Sequence, residues 1–291
     1  MAPLLSVGIP VYNGEKYLAE ALDSIRAQTL TDIEILIADN GSTDGTEQIC
    51  RAAAAADPRV RYLRSETNLG GPRNLNRLVE ESTAPLFKWA FYDDRCAPTF
   101  LEACVRTLEA HPDAVLAHPR VLTIDEASQL TGGRDDADLQ LDLEPAHRRL
   151  AQLYVRIAEQ ALFGVIRTDS LRRTRGIQPL LSDGFILLTE LCLQGPFVGV
   201  PEQLLYLRDH GEQHGGNRAS EMRWLGSRRR ARVFGYTQVT GHLLAAVRRC
   251  DLDAAEKARC AATVGRHWTL RTWRSSASDV KHLYADVTGR Y

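Results

Sequence analysis

The 291-residue chain, 44% apolar and 25% charged, is long enough to bury one large core or two smaller ones. Its 36 Lys and Arg against 37 Asp and Glu leave a formal charge of −1, which argues against a protein built to coat nucleic acid. Six cysteines (Cys50, Cys96, Cys104, Cys192, Cys250, Cys260) form no C-x-x-C pair and have no histidine at ligand spacing, so free thiols in a reducing cytoplasm are expected rather than a zinc site or a disulfide framework.

The N-terminus lacks a basic stretch before its short apolar run, which Pro10 and Asn13 break, so no signal peptide is expected. No later segment reaches the roughly 20 apolar residues of a membrane span. In chain order, residues 5–10 read as a strand, and Leu18, Ala21, Leu22 and Ile25 repeat at helical spacing within 15–27. Residues 33–38 are a second strand, continuously apolar apart from Glu34, as a doubly covered parallel strand requires. The polar turn 39–44 caps a helix reaching the alanine run 52–56. A strand at 60–63, a helix at 71–81 and a strand at 86–92 follow, the last ending in Asp93-Asp94.

Residues 114–123 form another apolar run, and the polar stretch 125–142 reads as a loop. Helical periodicity resumes over 145–160, strand character at 163–166, and 183–194 reads as a helix capped by Ser182 and closed by Gly195-Pro196. Short strands are expected at 197–200 and 203–207, and helices dominate after Gly215-Gly216. Alternating strands and helices predict a parallel, doubly wound α/β sheet. Ligands bind such sheets beyond the carboxyl ends of the strands, and three polar clusters fall there: 10–13, 39–44 and Asp93-Asp94.

Neither G-x-G-x-x-G nor the G-x-x-x-x-G-K-[ST] phosphate loop is present. The adjacent carboxylates suit a hard cation such as Mg²⁺ or Mn²⁺, held together with substrate phosphates, while Asp39 is placed to accept from a nucleobase or ribose. Ser6-Val7-Gly8-Ile9-Pro10-Val11-Tyr12-Asn13-Gly14, then Ile37-Ala38-Asp39-Asn40-Gly41-Ser42-Thr43-Asp44-Gly45-Thr46, then Asn68-Leu69-Gly70-Gly71 and Asp93-Asp94, resembles family 2 glycosyltransferases in order and spacing, over roughly residues 4 to 212.

The resemblance implies a GT-A fold, a mostly parallel sheet flanked by helices, that binds a nucleotide-diphosphate sugar with a divalent metal and transfers the sugar to a hydroxyl acceptor with inversion. It implies that Pro10 and Tyr12 line the base pocket, Asp39 hydrogen-bonds a pyrimidine, Asp93 faces ribose or donor sugar, and Asp94 holds the metal. Arg73 would reach base or phosphates. Two positions depart from the family pattern: Asn40 stands where a second Asp is commoner, and Arg95 follows the aspartate pair, either weakening cation binding or helping to neutralise diphosphate.

An inverting transfer needs a general base, which the family places at the start of a helix in the acceptor half. Ser182-Asp183-Gly184-Phe185 matches that region and nominates Asp183, against the alternative that it merely complements the helix dipole. Glu190 is the runner-up, better suited to a salt bridge. Arg208-Asp209-His210 resembles the family's Arg-x-His, with His210 a metal candidate and Arg208 a phosphate clamp. Trp89 reads as core before sugar platform, and His111, His118 and His147 are unassigned.

The expected organisation is a catalytic domain over 1–215, divided into a nucleotide-sugar half (1–112) and an acceptor half (113–215), and a basic helical region over 216–291. Residues 217–291 hold 15 Lys and Arg against 6 Asp and Glu, a net of +9, leaving 21 against 31, a net of −10, for the rest. Arginines beside Trp224, Phe234, Tyr236, Trp268 and Trp273 fit a basic face packed on the acidic domain, peripheral contact with an anionic inner membrane face, or another anionic partner; an oligomer is also compatible. Two further functional classes compete: a sugar nucleotidyltransferase, which should carry a Gly-rich basic loop that 10–14 lacks, and a non-catalytic nucleotide-sugar binder, which Arg95 favours.

Overall fold

The computed structural model describes residues 2–133, 139, 141–156, 159–180, 182–210, 235–270 and 272. β1 (Leu5–Val11) and β2 (Ile33–Asp39) are buried along all seven residues of each, as strands covered on both faces must be. Glu34 is tolerated inside β2 because its carboxylate accepts from the Ser6 hydroxyl at 2.6 Å and from the Thr83 N–H and hydroxyl at 2.7 and 2.8 Å. With β3 (Val60–Arg64) and β4 (Leu86–Trp89) they form a parallel half-sheet in the order β3-β2-β1-β4, crossed over by α1 (Leu18–Arg26), α2 (Thr46–Ala56) and α3 (Gly71–Glu81).

The second half contains β5 (Arg95–Cys96), α4 (Phe100–Ala110), β6 (Leu116–Ile124), β7 (Leu130–Gly133), α5 (Ala146–Arg156), a 3₁₀ turn (Glu159–Phe163), β8 (Val165–Arg167), α6 (Thr168–Arg172), α7 (Asp183–Cys192) and β9 (Phe197–Arg208). The sheet continues from β4 as β8-β6-β9-β5, with β6 parallel to β9 and β8 and β5 antiparallel to their neighbours. The mostly parallel α/β expectation holds.

Three elements differ from the sequence reading. The stretch 125–142 contains β7, an exposed strand paired to β6 through a turn that the Asp125 carboxylate closes on the N–H groups of Ala127 and Gln129, so its polarity reflects an edge hairpin. The two strands expected at 197–207 are one, β9, with register shifts against β6 at Pro119/Arg120 and Arg120/Val121 that absorb Pro201. α4 falls where the sequence reading places no element, although Phe100, Leu101, Cys104, Val105 and Leu108 carry the helical period and are buried.

Alternation sends β1 residues Leu5, Val7, Ile9 and Val11 to one face, where α1, α2 and α4 cover them, and Leu36, Ala38, Phe87 and Trp89 to the other, covered by α3, α5 and α7. Trp89 is core, its indole N–H donating to the Leu75 carbonyl at 3.2 Å. α8 (Gly235–Arg249) and α9 (Ala254–Thr263) join this second face through Val239, Leu243, Val247 and Cys260. The basic-aromatic segments holding Trp224, Arg228, Arg229, Arg230, Arg232, Phe234, Arg271, Trp273 and Arg274 lie outside the described residues. All six cysteines are free, and among the described residues no helix is long and apolar enough to cross a membrane.

Buried Glu190 on α7 accepts from the Arg249 guanidinium at 2.5 Å and from the Arg175 N–H at 2.7 Å, the ion pair its mid-helix place suggested. Arg249→Met removes the guanidinium that pairs with that carboxylate and should lower unfolding free energy by about 1–3 kcal/mol in a urea titration. A change within experimental error would show that the Arg175 N–H suffices.

Candidate active site

The loop after β1 and the turn after β2 are sewn together at the carboxyl end of the sheet. Asn13 N–H donates to Ser42 Oγ at 2.9 Å and Thr43 N–H to Asn13 Oδ1 at 2.9 Å. Gly14 N–H donates to Thr46 Oγ1, Glu15 N–H to Asp44 Oδ2 and Gly45 N–H to Glu15 Oε2. Ser42, Asp44 and Thr46 therefore serve loop geometry, with Pro10 buried beneath and Tyr12 left 43% exposed at the rim. A Cβ on Gly14 would lie 2.6 Å from Val11 Cγ2 and 2.8 Å from Tyr92 Cδ2, so that glycine lets the end of β4 close against the first loop.

Asp39 is fully buried. Oδ1 accepts from Ser42 N–H at 2.8 Å, and Oδ2 from the Tyr62 hydroxyl at 2.7 Å and from Arg64 at 3.2 Å. Burial and acceptance by Asp39 both push the Tyr62 phenol well above its ordinary value, so it remains a donor. The surface that β2 and β3 offer here is the Arg64 guanidinium, one-third exposed, while Asp39 fixes the turn beneath it. Asn40 uses its amide to join the next element: Nδ2 donates to Asn68 Oδ1 at 2.9 Å and Oδ1 accepts from Leu69 N–H at 2.8 Å. That bond brings the N-terminus of α3, with exposed Arg73 on its first turn, to the end of β2.

Gly41 has φ +78° and a Cβ there would meet the Thr67 backbone carbon at 2.9 Å. Gly41→Ala should cost about 1–3 kcal/mol, because it must displace the Thr67 backbone that leads into α3. Unchanged stability in a denaturant titration would contradict this.

β4 ends at Trp89, and the chain turns so that Asp94 N–H meets the Phe91 carbonyl. The aspartate turn is held from β9. Arg208 N–H donates to Asp94 Oδ1 at 3.0 Å and its Nε to the Asp93 carbonyl at 2.8 Å. The same guanidinium, 1% exposed, reaches the Asp125 carbonyl and Ser128 Oγ, both at 2.9 Å, and Glu20 at 2.7 Å, and lies 4.6 Å from the Tyr17 ring centroid. Arg208 is therefore a brace inside the fold rather than the phosphate clamp expected of it. Arg95 also turns to Glu20, at 3.1 Å, sharing that carboxylate with Arg208 beside the aspartates.

His210 Nε2 lies 2.9 Å from Asp93 Oδ2, against the Tyr17 ring. Burial, then the charge of Asp93, pushes the Asp94 carboxyl well above the usual carboxylate range, and the Arg208 N–H, Lys88 and the Arg208 guanidinium act against that rise. Lys88, buried on β4, lines a small cavity with Asp94, Phe91 and Phe163 and donates to the Trp89 carbonyl at 3.2 Å. The adjacent Asp93 and Asp94 carboxylates, with the His210 imidazole on Asp93, are oxygen and nitrogen donors of the kind that Mg²⁺ or Mn²⁺ accepts. Among the described residues no group of three or more His, Cys, Asp and Glu side chains forms a self-sufficient cage.

Asp183 opens α7. Ser182 before it is left-handed (φ 52°) and makes no side-chain cap, so the expected Ser182 cap gives way to a strained residue that re-aims the helix start. Gly184 N–H donates to Asp183 Oδ1 at 2.7 Å. Gly184 packs on Leu162, whose neighbour Phe163 meets Phe91 edge-on at 5.3 Å, linking this helix start to the aspartate turn.

The sequence model of Glycosyl transferase family 2 matches residues 6–170, more than half of the chain. The chain belongs to that family. Among similar proteins, glycosyltransferase GlyG of Streptococcus pneumoniae is 48% identical over 119 residues, 40% of each chain. S. aureus TarS 1-349 in complex with UDP-GlcNAc shares the fold at TM-score 0.70 and 19% identity, over 92% of this chain and 73% of that one. A mannosyltransferase from Pyrobaculum calidifontis, in complex with GDP-Man and Mn²⁺, aligns at TM-score 0.53 and 15% identity over 100% and 89%. The matches span only 15 to 45% of the length of the curated relatives.

In this family 2 chain, with its GT-A fold, the structure pairs His210 with Asp93, next to Asp94 in the chain, and places Pro10, Tyr12, Asp39 and Arg73 on adjoining strand ends and loops. Sequence reasoning missed the brace of Arg208, Glu20, Tyr17 and Ser128. Its signal was faint: two opposite charges, Glu20 and Arg208, in amphipathic elements far apart in sequence.

Proposed function

We propose that the protein moves a sugar from a nucleoside-diphosphate sugar to a hydroxyl acceptor with inversion at the anomeric carbon. The observation that carries this is the Asp93–His210 pair, with Asp94 held by the Arg208 N–H beside it, at the carboxyl ends of β4 and β9 and next to the sewn loops of β1 and β2. Tyr12, Leu69 and Arg73 offer an exposed apolar and basic rim for the base and phosphates. Asp94, with Asp93 or His210, would hold Mg²⁺ or Mn²⁺, which supplies charge neutralisation for the departing diphosphate. Asp183 accepts the acceptor hydroxyl's proton as its oxygen bonds to the anomeric carbon and the bond from that carbon to the diphosphate oxygen breaks. Arg208 holds the aspartates in place, and Arg95 is drawn toward Glu20.

Nucleoside diphosphate release from UDP-, dTDP- and GDP-sugars, with and without Mn²⁺, tests the proposal. Release of one nucleoside diphosphate that stops on chelation is expected. Pyrophosphate release would make the protein a nucleotidyltransferase, and nucleotide binding without turnover a non-catalytic binder.

A further inference from the structure

Where the Asp183 carboxylate points depends on how α7 is held. Phe185, in the same first turn, is the first fully buried side chain of that helix. Its ring stacks on Trp268 at 5.0 Å and 24° and lies 5.1 Å from Tyr154, which is 6.4 Å from Trp268. Trp268 donates its indole N–H to Thr240 Oγ1 on α8 at 3.2 Å, and Thr189 of α7 donates to the Tyr154 hydroxyl at 3.3 Å. The far end of α7 is held by the ion pair of Glu190 with Arg249, also on α8. Helices that follow the family-matched segment therefore grip both ends of α7.

Trp268 lies in a π-helical turn, Val264–Thr269, that continues α9 without a break. Such turns are rare and occur mostly as local insertions at functional places. Here the change of register falls where the C-terminal segment meets the first turn of α7. His147 N–H and ring tie the start of α5 to buried Glu256 of α9 at 2.8 and 2.9 Å, so the turn is anchored on its other side as well.

We propose that α8, α9 and the π-helical turn form a buttress for α7, and that Trp268 is a positioning residue for Asp183. The proposal rests on Asp183 being the base. A base works only within hydrogen-bond reach of the proton it takes, and a misplacement of about 1 Å can cost on the order of 100-fold. The buttress thus acts on the chemical step while touching neither donor nor metal.

In the full chain, Trp268→Ala should lower kcat about 10- to 100-fold, with Kd for UDP, dTDP or GDP in the presence of Mn²⁺ within about twofold of wild type. Trp268→Phe keeps a stacking ring but not the indole N–H, and should restore kcat to within about tenfold of wild type. Thr240→Val removes the acceptor of the indole N–H, should lower kcat about three- to tenfold at unchanged Kd, and decides the matter if the alanine variant does not fold. Wild-type kcat in Thr240→Val together with a folded Trp268→Ala of wild-type kcat overturns the proposal; so does a loss of nucleotide affinity in step with kcat. Asp183→Asn measured in parallel separates the two ideas. If it keeps turnover, the base assignment fails; if it loses turnover while Trp268→Ala does not, the base stands and the buttress falls.

Discussion

Asp183→Asn is expected to lower kcat by about 10² to 10⁴, the usual contribution of a general base, while nucleotide affinity stays near wild type. The substitution is nearly isosteric, and the amide oxygen can still accept the Gly184 N–H bond that Oδ1 accepts at 2.7 Å, so the helix start should survive. What is lost is the anionic oxygen that takes the acceptor's proton. Affinity should hold because the donor rim and the aspartate cluster come from β1, β2, β4 and α3, whereas Asp183 begins α7. Near wild-type turnover in this variant would remove Asp183 from the mechanism and leave its carboxylate a helix-dipole partner.

Arg208→Met should be the most destabilising single change near the site, by about 3 kcal/mol in a denaturant titration, with turnover lost even where the chain remains folded. Methionine approximates the volume, so the cost is that of the hydrogen bonds. The Asp93 and Asp125 carbonyls and Ser128 Oγ lose a buried charged donor together. Glu20, left without that partner, is 40% exposed and recovers solvation, which keeps the figure at the lower end of the range for a broken buried pair. Arg208→Lys preserves the charge but not the planar fork, and should recover little. A loss under about 1 kcal/mol would mean that the aspartate turn holds itself.

Much of the donor half was legible because its strands are doubly buried. Apolar runs such as 33–38, interrupted by Glu34 alone, and punctuation at Pro10, Asn13, Gly41 and Asp93 put each site loop at a strand end. Local signals failed where tertiary partners decide. Arg208 and Asp39 look like ligand-facing groups, yet each is held by partners brought in by register, Asp39 by its β3 neighbours and Arg208 by α1 and the β6–β7 turn. The Ser182-Asp183 pair resembles a helix cap, and only the backbone shows that Ser182 is left-handed and does not cap. β7 was hidden because a solvent-facing edge strand carries no apolar alternation.

The most direct test of the account is a crystal structure of the full chain with Mn²⁺ and UDP, dTDP or GDP, whichever binds in solution. The account predicts the nucleotide beyond the carboxyl ends of β1, β2 and β4, its base beside Tyr12, its diphosphate toward Arg73, and Mn²⁺ between the diphosphate and the Asp94 carboxylate. A nucleotide bound away from these strand ends, or bound there with Asp93, Asp94 and His210 all remote from both metal and diphosphate, would contradict it.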